Sequence, residues 1–81
     1  MTGAQLRAAR ALLGWSAQKL ASTSGVGVTT IRKNELADGP VTMIRANVEV
    51  LTRTFETAGV EFIPENGGGA GVRVRLPVSR A

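Results

Sequence analysis

The side chains able to do chemistry in this chain are cations, hydroxyls and an amide gathered in one stretch: Gln18, Lys19, Thr29, Thr30, Arg32 and Lys33. Such groups attract phosphate and hydrogen-bond to base edges, and they do not by themselves break bonds. The sequence holds no cysteine and no histidine. Disulfides, thiol nucleophiles, thiolate metal sites, the usual zinc sets and the usual neutral-pH general base are therefore all missing. No catalytic residue, metal site or cofactor is expected, and the chain reads as a binding protein rather than an enzyme. Gly67-Gly68-Gly69 shares only composition with a phosphate-cradling loop, because no Lys-Ser/Thr pair and no strand-loop-helix pattern accompanies it.

Formal net charge is +4, unevenly spread. Residues 1–36 set Arg7, Arg10, Lys19, Arg32 and Lys33 against Glu35. Residues 37–66 set Arg45 and Arg53 against Asp38, Glu49, Glu56, Glu61 and Glu65, and the remainder carries Arg73, Arg75 and Arg80. A basic front suits phosphate attraction, although a charge of this size also serves ordinary solubility. At 81 residues one domain is expected, near the size where a single core is only marginally stabilising and self-association helps. No apolar run reaches the length of a membrane span, and the start lacks the basic-then-apolar pattern of a signal peptide. A cytoplasmic chain with no membrane partner is expected.

Two short helices hinged on a glycine must position the polar stretch. Ser16 is an N-cap ahead of a helix over Ala17–Thr23, Ser24-Gly25 breaks that helix, and Val26 supplies an apolar plug under the turn. From Val28 to Leu36 the period is helical again. Val28, Ile31, Glu35 and Leu36 fall near one face, and Thr29, Thr30, Arg32 and Lys33 fall largely on the other.

Ser16, Leu20, Ala21, Ser24, Gly25, Val26, Thr30, Ile31 and Glu35 together resemble, in type and spacing, the helix-turn-helix of the small phage-repressor or Xre-like (Cro/C1-type) transcriptional regulators. The resemblance spans residues 1 to about 58. It implies a mainly α fold, a four-helix helix-turn-helix domain over residues 1–59, in a bacterial or mobile-element protein. It also implies that Arg10 pairs with Glu35, tying the first helix to the recognition helix.

The first helix is expected to start at Thr2, with Gln5 completing a capping box, to bury Leu6, Ala9, Leu12 and Leu13, and to stop at Gly14. Trp15 is expected as an anchor across the start of the second helix. After the breakers Gly39 and Pro40, Thr42 is expected to cap a fourth helix whose core stripe is Ile44, Val48, Leu51, Phe55 and Ala58. Its outer face sets Arg45 against Glu49 and Arg53 against Glu56. Past Gly59 the period becomes two. Val60–Ile63 and Val72–Leu76 read as strands of a small C-terminal β-hairpin over residues 60–76, with Arg73 and Arg75 opposite Glu61, and residues 77–81 read as a flexible tail. The hairpin's apolar face should cover the helices or pair with another copy in a homodimer.

Three functions follow. In the first, a repressor binds double-stranded operator DNA: Lys33 and Thr29 reach base edges, while Gln18, Lys19, Thr30 and Arg32 hold phosphates. The second rests on departures from the resembled family, which commonly has glutamine where Ala17 stands, a Ser/Thr cap where Gly27 stands, and an apolar residue where Asn34 stands. These leave Ala17, Gly27 and Val28 as a small apolar patch. An antiactivator that binds and sequesters a transcription activator protein would use such a patch. The third is an antitoxin-like subunit with an arginine-rich arm.

Overall fold

Thr2 opens the first helix by a reciprocal cap: its hydroxyl accepts from the Gln5 backbone N–H at 3.0 Å, and the Gln5 side-chain oxygen accepts from the Thr2 N–H at 2.9 Å. In the computed structural model, which describes residues 1–75, this cap starts α1 (Gly3–Leu13). Gly14 closes it at φ 68°, a left-handed conformation that residues with a Cβ rarely adopt. The other helices are α2 (Ala17–Ser24), α3 (Val28–Asn34) and α4 (Arg45–Thr57), and the strands are β1 (Val60–Ile63) and β2 (Gly71–Val74). Four helices and one antiparallel hairpin make a mainly α fold, as expected.

Ser16 caps α2 by accepting from the Lys19 N–H at 2.9 Å. The helix runs one residue past the expected Thr23 before Gly25 ends it at φ 84°. Val26, 5% exposed, plugs the turn beneath it. The core gathers Leu6, Ala9 and Leu13 from α1, Leu20 from α2, Ile31 from α3, Leu51 and Phe55 from α4, and Val60 from β1. Trp15 stacks on Phe55 with ring centroids 6.1 Å apart and planes 25° from parallel, so the tryptophan reaches α4 as well as the start of α2. Each of these large side chains contributes roughly 1.5–3 kcal/mol by leaving water.

Several expectations about the middle of the chain are corrected. α3 stops at Asn34 rather than Leu36, and Leu36 stands 85% exposed instead of packing with Val28 and Ile31. The cause is Asn34, whose amide nitrogen donates to the Thr30 carbonyl at 2.8 Å while its oxygen accepts from the Thr42 N–H at 2.7 Å. Thr42 is thereby bound to α3 and does not cap α4. The N-cap there is Ile44, which is 68% exposed and lies outside the core stripe. The pairs Arg45/Glu49 and Arg53/Glu56 do not close: the ion pairs among the described residues are Arg7–Asp38, Arg10–Glu35 and Glu61–Arg73.

The hairpin pairs within the chain, Val60 against Val74, Glu61 against Arg73, Phe62 against Val72 and Ile63 against Gly71. The Glu61 carboxylate accepts from Arg73 Nε at 2.8 Å, and the Arg75 N–H extends the pairing to the Gly59 carbonyl at 2.8 Å. Val72 and Phe62 pack on the core, whereas Val74 is 46% exposed. Gln5 holds the hairpin to α1, its amide nitrogen donating to the carbonyls of Ile63 at 3.2 Å and Gly71 at 3.0 Å. Because Val60 lies in the same core as Leu6 and Phe55, the division at residue 59 separates elements, not cores. The expected strand end at Leu76 and the tail over residues 77–81 lie outside the described residues. Among the described residues no helix is long and apolar enough to cross a membrane.

Candidate functional site

The seven residues of α3 divide by the helical period. Ile31 and Asn34 are buried and Val28 packs on the core, whereas Thr29, Arg32 and Lys33, at i, i+3 and i+4, are exposed together. One short helix thus presents a hydroxyl and two cations from a single stripe. Beside it the start of α2 places Gln18 in solvent and Lys19 half in, with the Lys19 ammonium 5.9 Å from the centre of the Trp15 ring. At that range the aromatic face attracts the cation and holds it near the α2 N-terminus. Thr30 is half-buried, and Gly27 is exposed and makes no side-chain cap to α3.

The orientation of α3 is set from α1. Arg10 donates from Nε to one Glu35 carboxylate oxygen at 2.7 Å and from Nη2 to the other at 2.8 Å, and its Nη1 donates to the Trp15 carbonyl at 2.9 Å. The Glu35 side chain is 9% exposed and that of Arg10 22%. Hydrogen bonding to Glu35, reinforced by its charge, holds the Arg10 guanidinium above its ordinary range against the opposing pull of burial. The planar fork of arginine matches a carboxylate in two places, which fixes angle as well as distance. The implied Arg10–Glu35 pair is therefore present as a two-point contact.

Arg7, one turn before Arg10, was invisible to the sequence reading in this role. Its Nη1 donates to the Glu35 carbonyl at 2.6 Å and its Nη2 pairs with Asp38. Carbonyls at a helix C-terminus lack partners inside the helix, so a cation there satisfies them. The signal available was spacing, since Arg7 and Arg10 lie three residues apart on one face of a helix. A consequence follows for electrostatics: two of the five basic residues of the front serve α3 internally, and the cations left for a partner near it are Lys19, Arg32 and Lys33.

Gly3 was also missed. A Cβ there would come within 2.5 Å of the Asn34 carbonyl oxygen and closer still to that of Ala37, so only glycine lets α1 begin against the end of α3. The Gly3 N–H donates to the Gly39 carbonyl at 2.8 Å, binding the same seam.

The apolar patch expected of Ala17, Gly27 and Val28 is not formed. Ala17 is 8% exposed and belongs to the core, and Val28 packs against that core too. Asn34 likewise takes no polar group from the outer face, because it points inward and uses both ends of its amide. Compared with known proteins, the chain matches no family model and no curated sequence.

Proposed function

We propose that this chain is a small transcription regulator of the phage-repressor or Xre-like kind, working in the bacterial cytoplasm, in which α2 and α3 form a helix-turn-helix that binds operator DNA as a repressor. The observation carrying this reading is the single exposed stripe of Thr29, Arg32 and Lys33 on a helix whose far side is locked by Ile31, Asn34 and the Arg10–Glu35 contact. About 10 Å of helix, the length of seven residues, fits the major groove. Lys33 donates to guanine and Thr29 meets a base edge, while Arg32, Thr30, Gln18 and Lys19 hold phosphates. Few bases are read by so short a helix, so a homodimer on a two-fold site is part of the proposal. The outer edge of β2, with Val74 half exposed beside it, is where the second copy would add.

The test is titration of the whole chain into labelled duplexes from its own upstream region and into random duplexes, at low and moderate salt. Each phosphate neutralised should lower log affinity by about 0.9 per decade of salt. Absence of a complex with either duplex at low salt overturns the reading. A second reading, sequestration of a transcription activator protein, draws support from Leu36 and Ile44, which stand 85% and 68% exposed at the two ends of the segment after α3. Under it Leu36→Asp abolishes the effect on transcription while Lys33→Ala spares it, and DNA reading gives the reverse.

A further inference from the structure

We infer that Asn66 is a site of spontaneous deamidation, which the fold leaves open at this position and closes at the other asparagine and aspartyl-glycine positions of the described residues. The reaction needs an Asn side chain that swings freely and a following backbone nitrogen that approaches it without obstruction. The chain has three asparagines, and they differ in these respects. Asn34 is 9% exposed, with its amide nitrogen on the Thr30 carbonyl and its oxygen on the Thr42 N–H. Asn47 lies within α4, followed by the branched Val48, and its neighbour's N–H is spent on the Ile44 carbonyl at 3.3 Å.

Asn66 is exposed in the loop between β1 and β2 and is followed by Gly67, which has no side chain to obstruct the approach. Gly67 sits at φ 102°, and among the described residues nothing beyond its own chain neighbours lies within 4 Å of where a Cβ would stand. Glycine passes between conformations that other residues cannot share, so the 66–67 peptide is free to find the reactive one. Asp38-Gly39 is the instructive contrast, because aspartate before glycine closes the same ring with loss of water. There the carboxylate pairs with Arg7, and the Gly39 and Asp38 carbonyls accept from Gly3 and Ala4 at 2.8 and 3.4 Å. Among the described residues, one such dipeptide is tied down and the other is not.

The chemistry balances with water as the sole co-reactant. The Gly67 nitrogen loses its proton and attacks the Asn66 side-chain carbonyl carbon; the bond from that carbon to the amide nitrogen breaks, and ammonia leaves with the proton. Water then opens the five-membered imide at either carbonyl, leaving aspartate or isoaspartate at position 66. Formal charge falls from +4 by one, and the new carboxylate lies beside Glu65. The isoaspartyl product adds one carbon to the main chain in a loop whose two stems Gln5 clamps to α1.

The experiment incubates the folded chain at mildly alkaline pH and maps its peptides by mass and by separation of aspartyl from isoaspartyl forms. Expected are a gain of one mass unit confined to the peptide holding residue 66, release of an equal amount of ammonia, and loss of both in Asn66→Gln. In denaturant, isomerisation at Asp38 should appear as well, since its protection is tertiary. An unmodified residue 66, or isomerisation at Asp38 that keeps pace with it in the folded chain, overturns the inference.

Discussion

Asn34 and Thr42, eight residues apart, are joined by a hydrogen bond of 2.7 Å from the Thr42 N–H to the Asn34 side-chain oxygen, and this one contact both ends α3 and delays α4. A buried amide that satisfies its own helix on one side and a loop on the other fixes where the chain turns. Asn34→Leu, which restores an apolar side chain at that place, should lower stability by about 2 kcal/mol by leaving the Thr42 N–H without its partner. Chemical denaturation measures the change.

The Arg10–Glu35 contact ties α1 to α3 at two points, so its members should be coupled. Removing either, by Arg10→Met or Glu35→Gln, should cost about 3 kcal/mol, because the survivor is left largely buried without its counter-charge. The double variant should cost less than the sum by about 1–2 kcal/mol. Strict additivity in the thermal or denaturant midpoints would show that the two side chains act separately.

Gly27 offers an improvement. Its φ of −60° and ψ of 140° are those of an ordinary N-cap, and an added Cβ would meet only the Thr30 hydroxyl at 3.9 Å. Gly27→Ser should therefore stabilise α3 by about 0.5–1 kcal/mol, through a cap and a stiffer unfolded chain. For a domain of this size the expected rise in Tm is about 2–6 °C.

Gly3→Ala should act in the opposite sense. The new methyl has nowhere to go, since backbone carbonyls of Asn34 and Ala37 occupy its place. A loss of about 2 kcal/mol is expected, measured as a fall in Tm; under the function proposed above, the same movement of α3 would also weaken the DNA complex.

Acid should act on the hairpin through Glu61. The hydrogen bond from Arg73, with the charges of Arg73 and Arg75, holds its carboxyl below the ordinary range against a smaller effect of burial. A depressed folded value means a stabilisation present above about pH 4.3 and lost as the pH falls through the folded value. The Tm difference between the natural chain and Glu61→Gln should thus shrink below that pH, and a difference that stays constant into acid would show that Glu61 contributes nothing through its charge.

Much of the architecture was legible because it is written locally. Caps and stops at Thr2, Gly14, Ser16, Gly25 and Gly59 depend on groups a few residues apart, and a glycine that must take positive φ announces itself by its type. The periodic stripe of α1 was equally readable, and so was the division of α3 into an outer face bearing Thr29, Arg32 and Lys33 and an inner one bearing Ile31. Those signals need only the geometry of a helix or a strand.

Tertiary structure alone decided which polar residues serve the interior. Asn34 looked like a lost surface group, Thr42 like a cap, Ala17 like a docking patch and Arg7 like free charge, because residue type says what a side chain can bond to and not what stands opposite it. The partners of Arg7 and Asn34 lie 28 and 8 residues away along the chain, and Gln5 meets its hairpin carbonyls 58 and 66 residues on. Contacts at such separations exist only after the core has brought α1, the end of α3 and the hairpin together, and that is why local pattern could set the elements but not assign these residues to them.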